Sequence, residues 1–248
     1  MGELKRGVMN YITIGNKKNP AVVFLHGWGG SIDSWGLIPA RIAGFGFYSI
    51  VIDFSGFGDS AEPTNAYFVK DYAEELRELL SQLEITSCVL IGHSFGGRVA
   101  IKYSSLYGEN VSKLVLVDSA GLKPRRGLTY KLKVWRYKSL KRKVERGLKP
   151  KQLLNKYGSD DYRSLSPVMK QTFINVVNED LSHECEKIEC DSLIVWGRND
   201  KDTPLNMAKK LKKLIKNSRL EIYDAGHFSY LECMERFIDE IYIFMLLE

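Results

Sequence analysis

Short apolar runs alternate with amphipathic stretches along almost the whole chain, and this alternation restricts the fold more than any other feature. Strand candidates are Tyr11–Ile14, Ala21–Leu25, Tyr48–Ile52, Cys88–Ile91, Leu114–Val117, Ser192–Trp196 and Leu220–Tyr223. Most of the later runs are apolar throughout rather than at every second residue. That pattern belongs to strands covered on both faces, as in a parallel sheet flanked by helices. Helical period recurs at Ser34–Ala43, Val69–Leu83, Phe95–Tyr107, Leu205–Ile215 and Cys233–Leu246. Asp71 and Glu74 suit the N-terminus of the second of these. An α/β fold follows, with an open, mostly parallel sheet whose ligands bind beyond the carboxyl ends of the strands.

The alternation fails once. From Ser119 to Lys187 no convincing strand occurs, only charge-rich helical segments punctuated by Gly and Pro. This predicts a helical insertion over residues 119–187, set into a core made of 1–118 and 188–248. Between Lys123 and Lys156 there are fourteen Lys or Arg and one acid, Glu145. The local net of +13 sits in a chain of net +6, so the remainder sums to −7. A solvated helical face explains such a run. The functional alternative is attraction of an anionic substrate or of an acidic membrane surface in peripheral contact. No nucleic-acid recognition motif accompanies the charge, so nucleic acid is not an expected partner.

At 248 residues, with 44% apolar and 27% charged residues, the chain suits one large soluble α/β domain carrying an insertion. Its first residues lack the apolar stretch of a signal peptide. No apolar run approaches the roughly 18 residues that span a bilayer, and Phe237–Leu247 reads as a helix packed on the sheet. Cys88, Cys185, Cys190 and Cys233 show no metal-ligand spacing. Cys185 and Cys190 are near enough in sequence for a disulfide, but the preferred reading is a reduced, cytoplasmic protein.

Between one strand and the next helix lies Ile91-Gly92-His93-Ser94-Phe95-Gly96-Gly97. Gly-x-Ser-x-Gly in a strand–turn–helix context is the pattern of a nucleophile elbow, in which the serine hydroxyl is pushed into the open. A serine alcohol needs a base, and the base needs an orienting carboxylate. The chain has four histidines. His93 adjoins the serine, so its side chain points elsewhere; His183 lies in the insertion; His26 ends an early strand. His227, after the last strand, is the candidate base. Asp200, in Gly197-Arg198-Asn199-Asp200-Lys201-Asp202-Thr203-Pro204, is the favoured acid, and Asp118 at the end of an earlier strand competes with it. Asp202 reads as a cap or turn residue. The backbone N–H of Phe95 and that of Trp28, in the Gly-rich His26–Gly30 loop, are the candidate oxyanion donors. Such a set requires no metal and no organic cofactor.

Five motifs in order, His26-Gly27-Trp28-Gly29, Asp53–Ser60, Gly92–Gly97, Gly197-x-x-Asp200 and Gly226-His227, resemble those of the α/β-hydrolase superfamily over nearly the whole chain. The resemblance implies an eight-stranded sheet with one antiparallel strand, and a helical cap after strand six, where the insertion falls. It also implies that Asp53–Ser60 is a structural turn beside the site. Dehalogenases and epoxide hydrolases of the superfamily carry an aspartate nucleophile, whereas this chain has Ser94. The expected activity is hydrolysis of a small-molecule carboxylic ester through an acyl-enzyme. Cleavage of a carbon–carbon bond in ring-cleavage dienoates, thioester hydrolysis and acyl transfer use the same residues. A non-catalytic receptor on this fold is the alternative of another class.

Overall fold

The computed structural model describes residues 9–123, 128–150, 152–153 and 160–247. Seven strands form one sheet: β1 (Tyr11–Ile14), β2 (Ala21–Leu25), β3 (Tyr48–Ile52), β4 (Cys88–His93), β5 (Val111–Val117), β6 (Asp191–Gly197) and β7 (Ser218–Tyr223). Their order is β1-β3-β2-β4-β5-β6-β7, and every pairing is parallel except β1 with β3. The resemblance implies eight strands; seven lie among the described residues, and residues 1–8 fall outside them.

Period-two side-chain alternation divides each strand between two cores. Val23, Ile50, Leu90, Leu114 and Ile194 pack on one face with helices α2 (Val69–Gln82), α3 (Phe95–Leu106) and α8 (Leu205–Leu214). Val22, Val51, Val89, Val115 and Val195 pack on the other with α1 (Ile38–Gly44) and α10 (Met234–Leu246). Phe237, Ile238, Ile241 and Phe244 of α10 are buried there, so the apolar C-terminal stretch is core. No helix among the described residues is long and apolar enough to cross a membrane. The Asp71 carboxylate accepts the Phe68 N–H at 2.7 Å and so caps α2. The helix expected over Ser34–Ala43 is divided: a 3-10 turn at Ile32–Trp35 ends at Gly36, whose φ of +53° is left-handed, and α1 starts afresh with Pro39 in its first turn.

Between β5 and β6 the described residues hold four helices and no strand: α4 (Leu128–Glu145), α5 (Asp160–Ser164), α6 (Pro167–Asn178) and α7 (Ser182–Cys185). Much of the basic run lies on α4, where Arg136, Lys138, Lys141, Arg142 and Lys143 are exposed, as is Trp135. Residues 124–127, 151 and 154–159 of that run lie outside the described residues. α6 docks on the sheet's carboxyl edge. Thr172 Oγ1 accepts the Tyr67 N–H at 3.0 Å, and Asn175 Nδ2 donates to the Tyr67 carbonyl at 3.1 Å. Beneath it, the Asp53–Ser60 turn is knotted around Asp53, whose carboxylate accepts from Ile32 N, Asn10 Nδ2 and Asp59 N. All four cysteines are free thiols.

Candidate active site

Ser94 lies where β4 passes into α3, with φ +49° and ψ −109°. A non-glycine residue held there costs of order 1–3 kcal/mol and persists only where its surroundings enforce it. The enforcement is visible. Ser94 N–H donates to the Val117 carbonyl at 3.0 Å, and its own carbonyl accepts from Gly97 and Ala120. The flanking glycines allow the approach: a methyl on Gly92 would meet the Gly96 carbonyl at 2.6 Å, and one on Gly96 would strike the Leu25 carbonyl. Strand β2 therefore ends directly over the first turn of α3, which brings the Gly27–Gly30 loop beside Ser94.

His227 follows β7 and Asp200 follows β6. Ser94 Oγ lies 3.1 Å from His227 Nε2, and His227 Nδ1 lies 2.8 Å from Asp200 Oδ2. Three residues from distant strand ends thus form one continuous hydrogen-bonded line. Because the carboxylate accepts at Nδ1, that nitrogen carries the proton, and Nε2 is left to accept from the serine hydroxyl. Asp200 is fixed in turn. Its Oδ1 accepts the N–H groups of Asp202 and Thr203 at 2.8 and 2.9 Å, and its Oδ2 lies 2.6 Å from Thr203 Oγ1. Burial alone would raise its pKa, but these donors and His227 hold it below the ordinary carboxylate value. Burial would likewise lower His227, yet the hydrogen bond and charge of Asp200 raise it above the ordinary 6.5.

Asp118, the competing acid, ends β5 with φ +44° and is fully buried. It does not meet an imidazole. Gly197 N–H donates to its Oδ1 at 2.7 Å, while the N–H and Oγ–H of Ser229 donate to its Oδ2 at 3.1 and 2.6 Å. Asp118 therefore ties β6 to the segment that carries His227. Burial pushes its carboxyl up to about 7 against the pull of those donors.

His93 points away from Ser94, as its position in the chain implies, but it reaches His227. Its Nε2–H donates to the His227 backbone carbonyl at 2.8 Å and the two rings lie 4.9 Å apart. Burial pushes it down to about 3, so it stays neutral. His26 accepts the Phe54 N–H at Nε2 and donates from Nδ1 to the Gly27 carbonyl, which shapes the loop of Trp28. The exposed His183 lies away from the site, 3.7 Å from Glu186. The roles of His93, Thr203 and Asp118 have no local signature in the sequence, since each depends on a partner from another loop.

Ser94, His227, Trp28 and Phe95 line a cleft of about 800 Å³, the size of a small-molecule site. Phe173, Val176 and Val177 of α6 close over it, and Trp28 packs edge-on against Phe57, Phe95 and Phe173. The N–H groups of Phe95 and Gly96, the first two residues of α3, have no acceptor within the helix. Asp200, Asp202 and His227 stand close enough together to hold a cation, but the oxygens of Asp200 already serve N–H and O–H donors that an ion would have to displace.

The family model described as the alpha/beta hydrolase fold matches residues 20–143 and 128–232. The chain is 28% identical over 237 residues to the AB hydrolase superfamily protein YisY of Bacillus subtilis (strain 168), covering 87% of each. It is 26% identical to 2-hydroxy-6-oxononadienedioate/2-hydroxy-6-oxononatrienedioate hydrolase 1 of Pseudomonas putida, covering 87% of this chain and 84% of that one. Its fold matches that of an esterase from Exiguobacterium antarcticum with a TM-score of 0.76 over 96% and 95% of the two chains, with 27% identity.

Proposed function

From the fact that the chain belongs to the α/β-hydrolase fold family, a family of hydrolases, we propose that it cleaves a carboxylic ester through an acyl-enzyme. The hydrogen-bonded line from Ser94 through His227 to Asp200 carries this reading. Ser94 Oγ attacks the ester carbonyl while His227 Nε2 takes its proton. The tetrahedral oxyanion rests on the amides of Phe95 and Trp28. His227 then returns the proton to the departing alcohol. Water attacks the acyl-Ser94 ester with His227 again as base, releasing the acid and restoring the serine. Asp200 holds the Nδ1–H tautomer and stabilises the imidazolium that forms in each half. Residues 119–187 act as the cap, with α6 supplying the apolar roof of the cleft.

The likeness to a dienedioate hydrolase favours a second reading, carbon–carbon cleavage by the same residues. A fluorophosphonate probe tests the nucleophile: labelling of the wild type that is lost in Ser94→Ala supports it, and an unlabelled, folded wild type refutes it. Kinetics on p-nitrophenyl esters beside a dienoate then decide which bond is cleaved.

A further inference from the structure

Arg98 stands one helical turn beyond Ser94 on α3 and lines the same cleft. It is 6% exposed. Among the described residues its guanidinium has one hydrogen-bond partner, the backbone carbonyl of Glu179 at 2.8 Å from Nη1, and no carboxylate forms an ion pair with it. The neighbouring acids are committed elsewhere. The Glu179 carboxylate pairs with Lys102 at 2.9 Å. Asp180 accepts from Ser182 and from the Lys123 amide. Lys102, a further turn along α3, shows the contrast: it is neutralised by both Glu179 and Glu184. Two cations on one buried helix face are therefore treated differently: Lys102 contacts two carboxylates, whereas Arg98 feels the charges of Glu179 and Asp180 without contacting either and faces the cleft. Burying a guanidinium with no carboxylate in contact is costly, and a bound anion offsets that cost. Arg also has donors left over after the Glu179 contact, in the fork geometry that matches a carboxylate.

We infer that Arg98 is an anion subsite for the substrate, so that the esters this protein prefers carry a free carboxylate remote from the bond that is cleaved. The inference rests on Ser94 being the nucleophile. Four residues of helix separate the two attachment points by roughly 6 Å, a span that a short aliphatic chain bridges.

The test compares ethyl half-esters of the straight-chain dicarboxylic acids from succinate to suberate with their ω-carboxamides, which keep shape and lose charge. A second series uses acetyl esters of ω-hydroxy acids and their amides, which places the charge on the alcohol side. In the wild type the best anionic ester exceeds its amide in kcat/KM by about tenfold or more, the worth of a charge-assisted hydrogen bond. Arg98→Met brings that ratio to near one, and Arg98→Lys retains part of it. Equal rates for acid and amide throughout the wild-type series overturn the inference, as does a ratio that survives Arg98→Met, which would leave Arg98 only as a clasp on Glu179. Titration calorimetry on Ser94→Ala separates this inference from the hydrolase reading, because it needs no turnover. Half-esters that bind more tightly than their amides, with the difference lost in Ser94→Ala/Arg98→Met, support the subsite even if the wild type hydrolyses none of them. Equal binding of acid and amide refutes it.

Discussion

Two neighbouring strands, β5 and β6, are each followed by a buried aspartate, and the two carboxylates have opposite surroundings. Asp200, after β6, receives the imidazole of His227 and is held by the Thr203 and Asp202 amides. Asp118, after β5, receives Gly197 and Ser229. One carboxylate faces the imidazole of His227; the other faces the backbone that carries it. Thr203 Oγ1 sits between them, 2.6 Å from Asp200 Oδ2 and 2.9 Å from the Asp118 carbonyl, and donates to one at a time. The lesson is that an acid's place at a strand end does not decide its task; the donors that reach it do.

Ser94→Ala provides the scale for the comparison. It leaves the fold intact and lowers kcat by roughly 10⁵–10⁶, the usual consequence of removing the nucleophile of such a triad. Asp200→Asn lowers kcat by roughly 10⁴, because the amide favours the wrong tautomer of His227. Asp118→Asn costs much less in kcat. It replaces an acceptor oxygen by an NH₂ that faces the donors of Gly197 or Ser229, so its main effect is a loss of about 1–3 kcal/mol in stability, read as a lower Tm. If Asp118→Asn abolishes turnover while Asp200→Asn spares it, the assignment of the two carboxylates is reversed.

His93→Phe keeps a ring against His227 but removes the donor to its carbonyl. About a tenfold fall in kcat with little change in KM is expected, and an unchanged kcat would reduce His93 to a packing residue. The smallest effect is on pH dependence. His227 must be neutral to accept the serine proton, and its pKa is raised above 6.5 by Asp200. Activity therefore falls as pH drops, with a midpoint above 6.5, and Asp200→Asn moves that midpoint down. Asp118 also raises His227 through its charge, more weakly, so Asp118→Asn gives a smaller shift in the same direction. Equal shifts would erase the distinction between the two acids.

Much of this was legible from residue order. Continuous apolar runs located the strands, and Gly92-x-Ser94-x-Gly96 marked the turn at the end of β4. The division of Ser34–Ala43 was not legible, because the left-handed φ at Gly36 is a backbone choice that helical periodicity does not report. Nor was the partner of His93, which lies 134 residues away.

Local pattern determined the alternating architecture, the elbow at Ser94 and the two residues, Asp200 and His227, that share its edge of the sheet. Periodicity and turn chemistry act over a few neighbouring residues, so they can be read from the chain alone. Tertiary structure alone decided which carboxylate meets the imidazole, why Asp118 bonds Ser229 across 111 residues, and why Lys102 contacts two carboxylates while Arg98 contacts a carbonyl. Those outcomes depend on which donors and acceptors distant loops bring together once the sheet has set their ends side by side.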